Sequence, residues 1–135
     1  TGRQAAARAR ATVQGEAAKL ATLQQVLADA SLPNLIVRNT AIGFQRSNDP
    51  ETLRATVPVY FDALTTIWQT RSYHMSEELI EGLYPAGLAD EALADAARGW
   101  LAANADAAPA LRRLVTEALA GTERALQAQA VDASA

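Results

Sequence analysis

The chain has 135 residues, half of them hydrophobic, with a formal net charge of −3 and no cysteine. That length suits one domain. A pI near 5.1 offers no basic footprint for nucleic-acid phosphates, and the lack of cysteine excludes a disulfide framework or a thiolate site in this chain.

Alanine dominates the hydrophobic fraction, and only seven residues are aromatic: two Trp, three Tyr and two Phe. Alanine loses no side-chain entropy on entering a helix, so thin, closely packed helices are expected. Sustained period-two alternation of β-branched residues, the mark of a strand, is missing.

Helix signals run along the chain from the start. The Ala/Arg-rich opening predicts a short helix over 2–12, and a second over about 15–30 carries Leu20, Leu23 and Leu27 on one stripe. "SLPN" predicts a third, with Ser31 as N-cap and Pro33 in the first turn. "NDPET" is the clearest start: Asp49 caps, Pro50 suits the first helical position, and Glu51 favours the positive end of the dipole. Leu53, Val57, Tyr60, Phe61, Leu64, Ile67 and Trp68 then follow the spacing of a buried stripe, with a kink or break expected near 57 because of Pro58. A helix over about 73–84 stops before Pro85. Another, over 89–103, places Leu93, Ala96, Ala97, Trp100 and Leu101 on one face. The last spans 107–131, with Asp106 as its cap and Pro109 in its first turn.

About seven helices joined by short loops imply antiparallel pairs, beginning near 15, 50 and 89. The expected fold is all-α, a HEAT/armadillo-like α-solenoid forming one domain over 1–135. Gly99 and Gly121 fall inside helices, where close approach of a neighbouring helix or ring would explain them; Gly82 lies where its helix is ending. Trp68, Tyr84 and Trp100 read as core or helix-junction residues. A chain opening on Thr1 directly in helical sequence suggests a piece of a longer protein, and residues 1–14 can be read as an incomplete first helix.

Chemistry is harder to find. A zinc hydrolase needs a pattern such as H-E-x-x-H, but the chain has one histidine. His74 precedes Glu77, Glu78 and Glu81, a run that reads as an acidic solvated face more readily than as a metal site. No nucleophile elbow and no phosphate-binding glycine loop occurs. No catalytic or metal residue is assigned, and no cofactor is expected in this chain. A recognition surface remains: Arg112 and Arg113 lie early in the last helix, with Glu117 at i,i+4 from Arg113. With no apolar run near eighteen residues and no signal-like opening, a cytoplasmic location without a membrane partner is the expectation.

The stretches "LPNLIVRNTAIGFQRSNDPETL", "YFDALTTIWQTRSYHMSEELIEGLYP" and "PALRRLVTEALAGTERALQAQAVD" add a resemblance. In order and spacing they resemble the C-terminal helical domain of the bacterial aminopeptidase N family, similar to the domain closing the endoplasmic-reticulum aminopeptidases. The resemblance implies a parent gluzincin enzyme that removes N-terminal residues from peptides. Its zinc, H-E-x-x-H motif and substrate-amine segment would all lie upstream of this domain. It also implies a non-catalytic role here: capping the catalytic domain of the same chain and shaping the chamber that holds the peptide substrate. Arg112, Arg113 and Glu117, with Arg124 in the closing "ER" of the pattern, become candidates for domain-interface or peptide-chamber contacts. An excised domain should also expose an apolar or arginine-containing patch.

A free-standing helical-repeat module that binds protein partners is the competing reading. The ligand-binding half of a helical transcription regulator is weaker, because neither a helix-turn-helix nor a basic recognition helix is evident.

Overall fold

The computed structural model describes residues 2–28 and 49–134, with side chains at 15–28 and 49–133. Among these residues the fold is all-helical. Five α-helices are present: α1 (Gly2–Ala28), α2 (Thr56–Thr70), α3 (Tyr73–Leu83), α4 (Glu91–Ala103) and α5 (Pro109–Ser134). Two 3-10 turns, Pro50–Leu53 and Ala86–Leu88, complete the described elements.

The two helices expected over 2–12 and 15–30 are one continuous helix of 27 residues. Alanine density on both sides of Gly15 carries the helix through it. Gly15 is instead a crossing point. A Cβ there would stand 2.8 Å from Thr52 Cγ2, so the missing side chain lets the Pro50–Leu53 turn press against α1. Leu23 and Val26 bury fully, with Leu27 packed partly against the core. The helix expected to begin at Ser31 lies outside the described residues.

Asp49 does cap, its carboxylate accepting the Glu51 N–H at 3.2 Å, and Pro50 takes the first position. The element it starts is a 3-10 turn, which also holds Thr52 through its hydroxyl on the Asp49 carbonyl at 2.7 Å. The chain resets at Arg54 and Ala55 before α2 begins. Pro58 is therefore the third residue of α2, where a missing N–H costs nothing because those donors lack intrahelical partners. The break expected near 57 falls just before Thr56 for that reason.

Ser72 caps α3, accepting the Met75 N–H at 3.2 Å, and the helix stops before Tyr84 and Pro85. Asp90 caps α4 by accepting the Leu93 N–H at 2.9 Å. Asp106 does not cap α5: the helix starts at Pro109, and Asp106 lies exposed in the preceding turn.

Helix α2 is central, packing on α1, α3 and α4, while α3 and α4 each pack on α5. Tyr60, Phe61 and Tyr84 meet edge to face at the middle, with centroids 5.0 to 6.4 Å apart, a preferred aromatic geometry. The buried Tyr60 hydroxyl donates to the Ile80 carbonyl at 2.6 Å, tying α2 to α3. Trp100 and Tyr84 belong to the core, and Trp68 sits at a junction against Tyr73, as their types suggested. Among the described residues no helix is long and apolar enough to cross a membrane.

The expectation for Gly99 and Gly121 is overturned. Gly99 is exposed, with nothing within 4 Å of where its Cβ would stand, because the buried face of α4 runs through Leu93, Ala94, Ala97 and Trp100. At Gly121 the nearest atom is its own helix's Arg124 Nη2, 3.7 Å away. Among the described residues, no neighbouring helix crowds either glycine.

Candidate functional site

Helix α5 brings the sequence candidates onto two different faces. Arg112 is half-buried and turned inward, donating from Nη1 to the carbonyls of Leu101 and Asn104, both at 2.7 Å. These carbonyls end α4, so the guanidinium satisfies acceptors that the helix leaves open and meets the negative end of its dipole. Arg112 does cross a helix boundary, but toward its own domain.

Arg113, one residue on, is exposed. Its Nη2 donates to the Tyr73 hydroxyl at 3.3 Å, and its Nε lies 3.8 Å from Glu117 Oε1. With side-chain exposures of 58% and 62%, this ion pair adds little stability. Arg124 is exposed further along α5. The structure thus joins Arg113 with Glu117 and separates both from Arg112. Among the described residues, Tyr73 and Val131 are the large apolar side chains left exposed, and Tyr73 stands against Arg113.

Beside Glu117 lies an open groove of about 480 Å³ between α3 and α5. Leu114, Ala118, Gly121 and Ala125 line it from α5, and Glu81, Tyr84 and Ala86 from the opposite side. At its base the Tyr84 and Thr122 hydroxyls share a buried 2.6 Å hydrogen bond. Burial holds the Tyr84 phenol above its ordinary pKa, with the Thr122 bond opposing. Desolvation raises the Glu81 carboxyl above its usual value; Glu77 and Glu117 push it the same way, and Arg113 pulls it back.

Sequence reasoning missed this groove. Its signal was Gly121, whose absent side chain opens space on α5 where close packing was expected. Glu81 was expected on an acidic solvated face and is exposed there, at the edge of the groove. His74 Nε2 lies 3.2 Å from Glu78 Oε1 on the exposed start of α3. Among the described residues, no three His, Asp or Glu side chains converge in a way that could hold a metal ion.

The helical order agrees with what comparison with known proteins finds. The ERAP1-like C-terminal domain family matches residues 1–124. The chain belongs to that family. This ERAP1-like C-terminal domain is also similar to Aminopeptidase N of Streptomyces lividans, with 41% identity over 134 residues. The similarity covers 99% of the chain and 16% of that protein's length. An ERAP1-like C-terminal domain of this size is thus about one sixth of the relative it matches.

Proposed function

We propose that this chain is the non-catalytic C-terminal domain of a zinc-dependent aminopeptidase N that removes N-terminal residues from peptides. In this reading it caps the catalytic domain of the same parent chain and shapes the chamber that receives the peptide. Its helices would form antiparallel pairs of a HEAT/armadillo-like stack, α2 with α3 and α4 with α5. The zinc would be held by the parent's catalytic domain, and the parent would be cytoplasmic. The observation that carries the reading is 41% identity to an aminopeptidase N across 99% of this chain, within a family described as a C-terminal domain.

The supporting chemistry is modest and consistent. Arg112 serves the fold, whereas Arg113, Glu117 and Arg124 are exposed on α5 and remain the candidates for contacts with the catalytic domain or the peptide.

The test compares three proteins on an aminoacyl-coumarin substrate and on a ten-residue peptide, with zinc supplied. They are the parent enzyme, the parent lacking this domain, and the isolated chain. The isolated chain should release no amino acid, and the parent should act on both substrates. Deletion should alter the ratio between peptide and coumarin rates. Hydrolysis by the isolated chain, or an unchanged ratio after deletion, would contradict the reading. A reading frame in which this chain stands alone, without an upstream H-E-x-x-H, would favour a free-standing interaction module.

A further inference from the structure

We propose that the groove between α3 and α5 is a subsite for a short extended peptide stretch carrying a lysine or arginine beside an apolar side chain. This deepens the peptide-facing reading above and rests on it.

Size selects the occupant first. At about 480 Å³ the groove falls within the roughly 300–1,000 Å³ of pockets that enclose small ligands. A folded partner bound specifically covers about 800 Å² on each side, far more than one inter-helix groove presents. A few extended residues fit the space.

The lining supplies the apolar half of the preference. Leu114, Ala118, Gly121 and Ala125 make an apolar wall along α5, kept low by the two alanines and by Gly121, where an added Cβ would stand 3.7 Å from Arg124 Nη2. Tyr84 and Thr122 spend their hydroxyls on each other, so the base presents few free polar groups to an incoming apolar side chain.

The rim supplies the cationic half. Glu81 and Glu117 line the groove, and Glu77 is close enough to act on Glu81. Among the described residues no hydrogen bond or ion pair engages the Glu81 carboxylate, and repulsion from Glu77 and Glu117 outweighs the attraction of Arg113 there. A cation placed beside Glu81 relieves that repulsion. A peptide carboxylate would meet the opposite field.

Fluorescence anisotropy of labelled nonapeptides tests the subsite on the 135-residue chain. One probe carries a central Arg-Leu pair in an Ala/Gly background; the second replaces the arginine with citrulline, which keeps its shape and loses its charge. The arginine probe should bind at least tenfold more tightly than the citrulline probe. Glu117→Arg, at an exposed position, should remove that difference, and Gly121→Leu should abolish binding by projecting from the α5 wall into the groove. Far-UV circular dichroism checks folding, and the Glu117→Arg result decides the matter if Gly121→Leu does not fold. Equal affinity for the two probes, indifference to Glu117→Arg, or no binding at millimolar peptide would each overturn the subsite. None of these results alters the deletion experiment on the parent enzyme, so the groove can fail while the domain assignment stands.

Discussion

The Arg112 guanidinium donates to the Asn104 carbonyl at 2.7 Å, and the same nitrogen reaches the Leu101 carbonyl. Its neighbour Arg113 makes only exposed contacts. Hydrogen bonds from a charged group contribute about 1.5–3 kcal/mol. Arg112→Ala should therefore lower the unfolding free energy by about that amount, whereas Arg113→Ala should stay within about 0.5 kcal/mol. Urea titrations of both variants measure the contrast, and equal losses would remove the distinction between the two arginines.

Gly15 and Gly99 should respond oppositely to alanine. In an exposed helix interior the change stabilises by roughly 0.5–1 kcal/mol, and at Gly99 nothing stands within 4 Å of the added atom. At Gly15 the added Cβ would meet Thr52 Cγ2 at 2.8 Å. Thr52 is buried and its hydroxyl is held by the Asp49 carbonyl, so it cannot swing aside cheaply. Overpacking of this kind costs about 1–3 kcal/mol. Thermal melts should rise for Gly99→Ala and fall for Gly15→Ala, with Thr52→Ser restoring part of the loss.

Ala89 has φ 39° and ψ 49°, in the left-handed region, between the Ala86–Leu88 turn and α4. A non-glycine residue there costs roughly 1–2 kcal/mol. Ala89→Gly should be neutral or stabilising by up to about 1 kcal/mol, because glycine's extra unfolded-state entropy offsets part of the relief. Ala89→Val should destabilise by about 1–3 kcal/mol. Chemical denaturation of the two variants decides, and similar midpoints would argue against strain at this position.

Two carboxylates should give opposite pH signatures. The Arg54 guanidinium, 2.6 Å from Asp90, lowers the Asp90 pKa, and the Leu93 N–H assists. That contribution is present above the unfolded value near 3.9 and disappears as pH falls through the lower folded value. Glu81 is the reverse. Its raised folded pKa favours the folded protein below the unfolded value near 4.3, and that advantage is lost as pH rises through the folded value. At pH 7 Asp90→Asn should destabilise and Glu81→Gln should stabilise, each by under about 1 kcal/mol at these partly exposed sites. The Asp90→Asn loss should shrink below pH 3, and the Glu81→Gln gain should vanish below about pH 4. Stability curves across pH 2–7 that move in the same direction would refute the assignment of causes.

Local chemistry made much of the helical order readable. Asp49 caps and Pro85 marks a stop as expected, whereas the caps at Ser72 and Asp90 were not named from the sequence and the one expected at Asp106 is not formed. The stripe through Tyr60, Phe61, Leu64 and Ile67 is buried because its spacing leaves one face for the core. Boundaries were less legible. A boundary was expected between residues 12 and 15, yet the helix is continuous there and Gly15 admits Thr52 from a segment 37 positions away. Gly121 raised the opposite error: the same residue type faces a groove. A glycine reports that a side chain is missing, and only its spatial neighbours say what uses the space.

The amino-acid pattern by itself determined a helical fold among the described residues, the cap at Asp49, a buried stripe through Tyr60 and Phe61, and membership of a recognisable domain family. Those features depend on residue type and on spacing within one helix or its ends, which any window of sequence contains. Tertiary structure alone decided that Arg112 serves the end of α4 while Arg113 stays exposed. It also decided that Glu81, Glu117 and Gly121 share one groove. These outcomes depend on how α3, α4 and α5 are placed against one another. That placement comes from burying many side chains at once, and no single helix carries it.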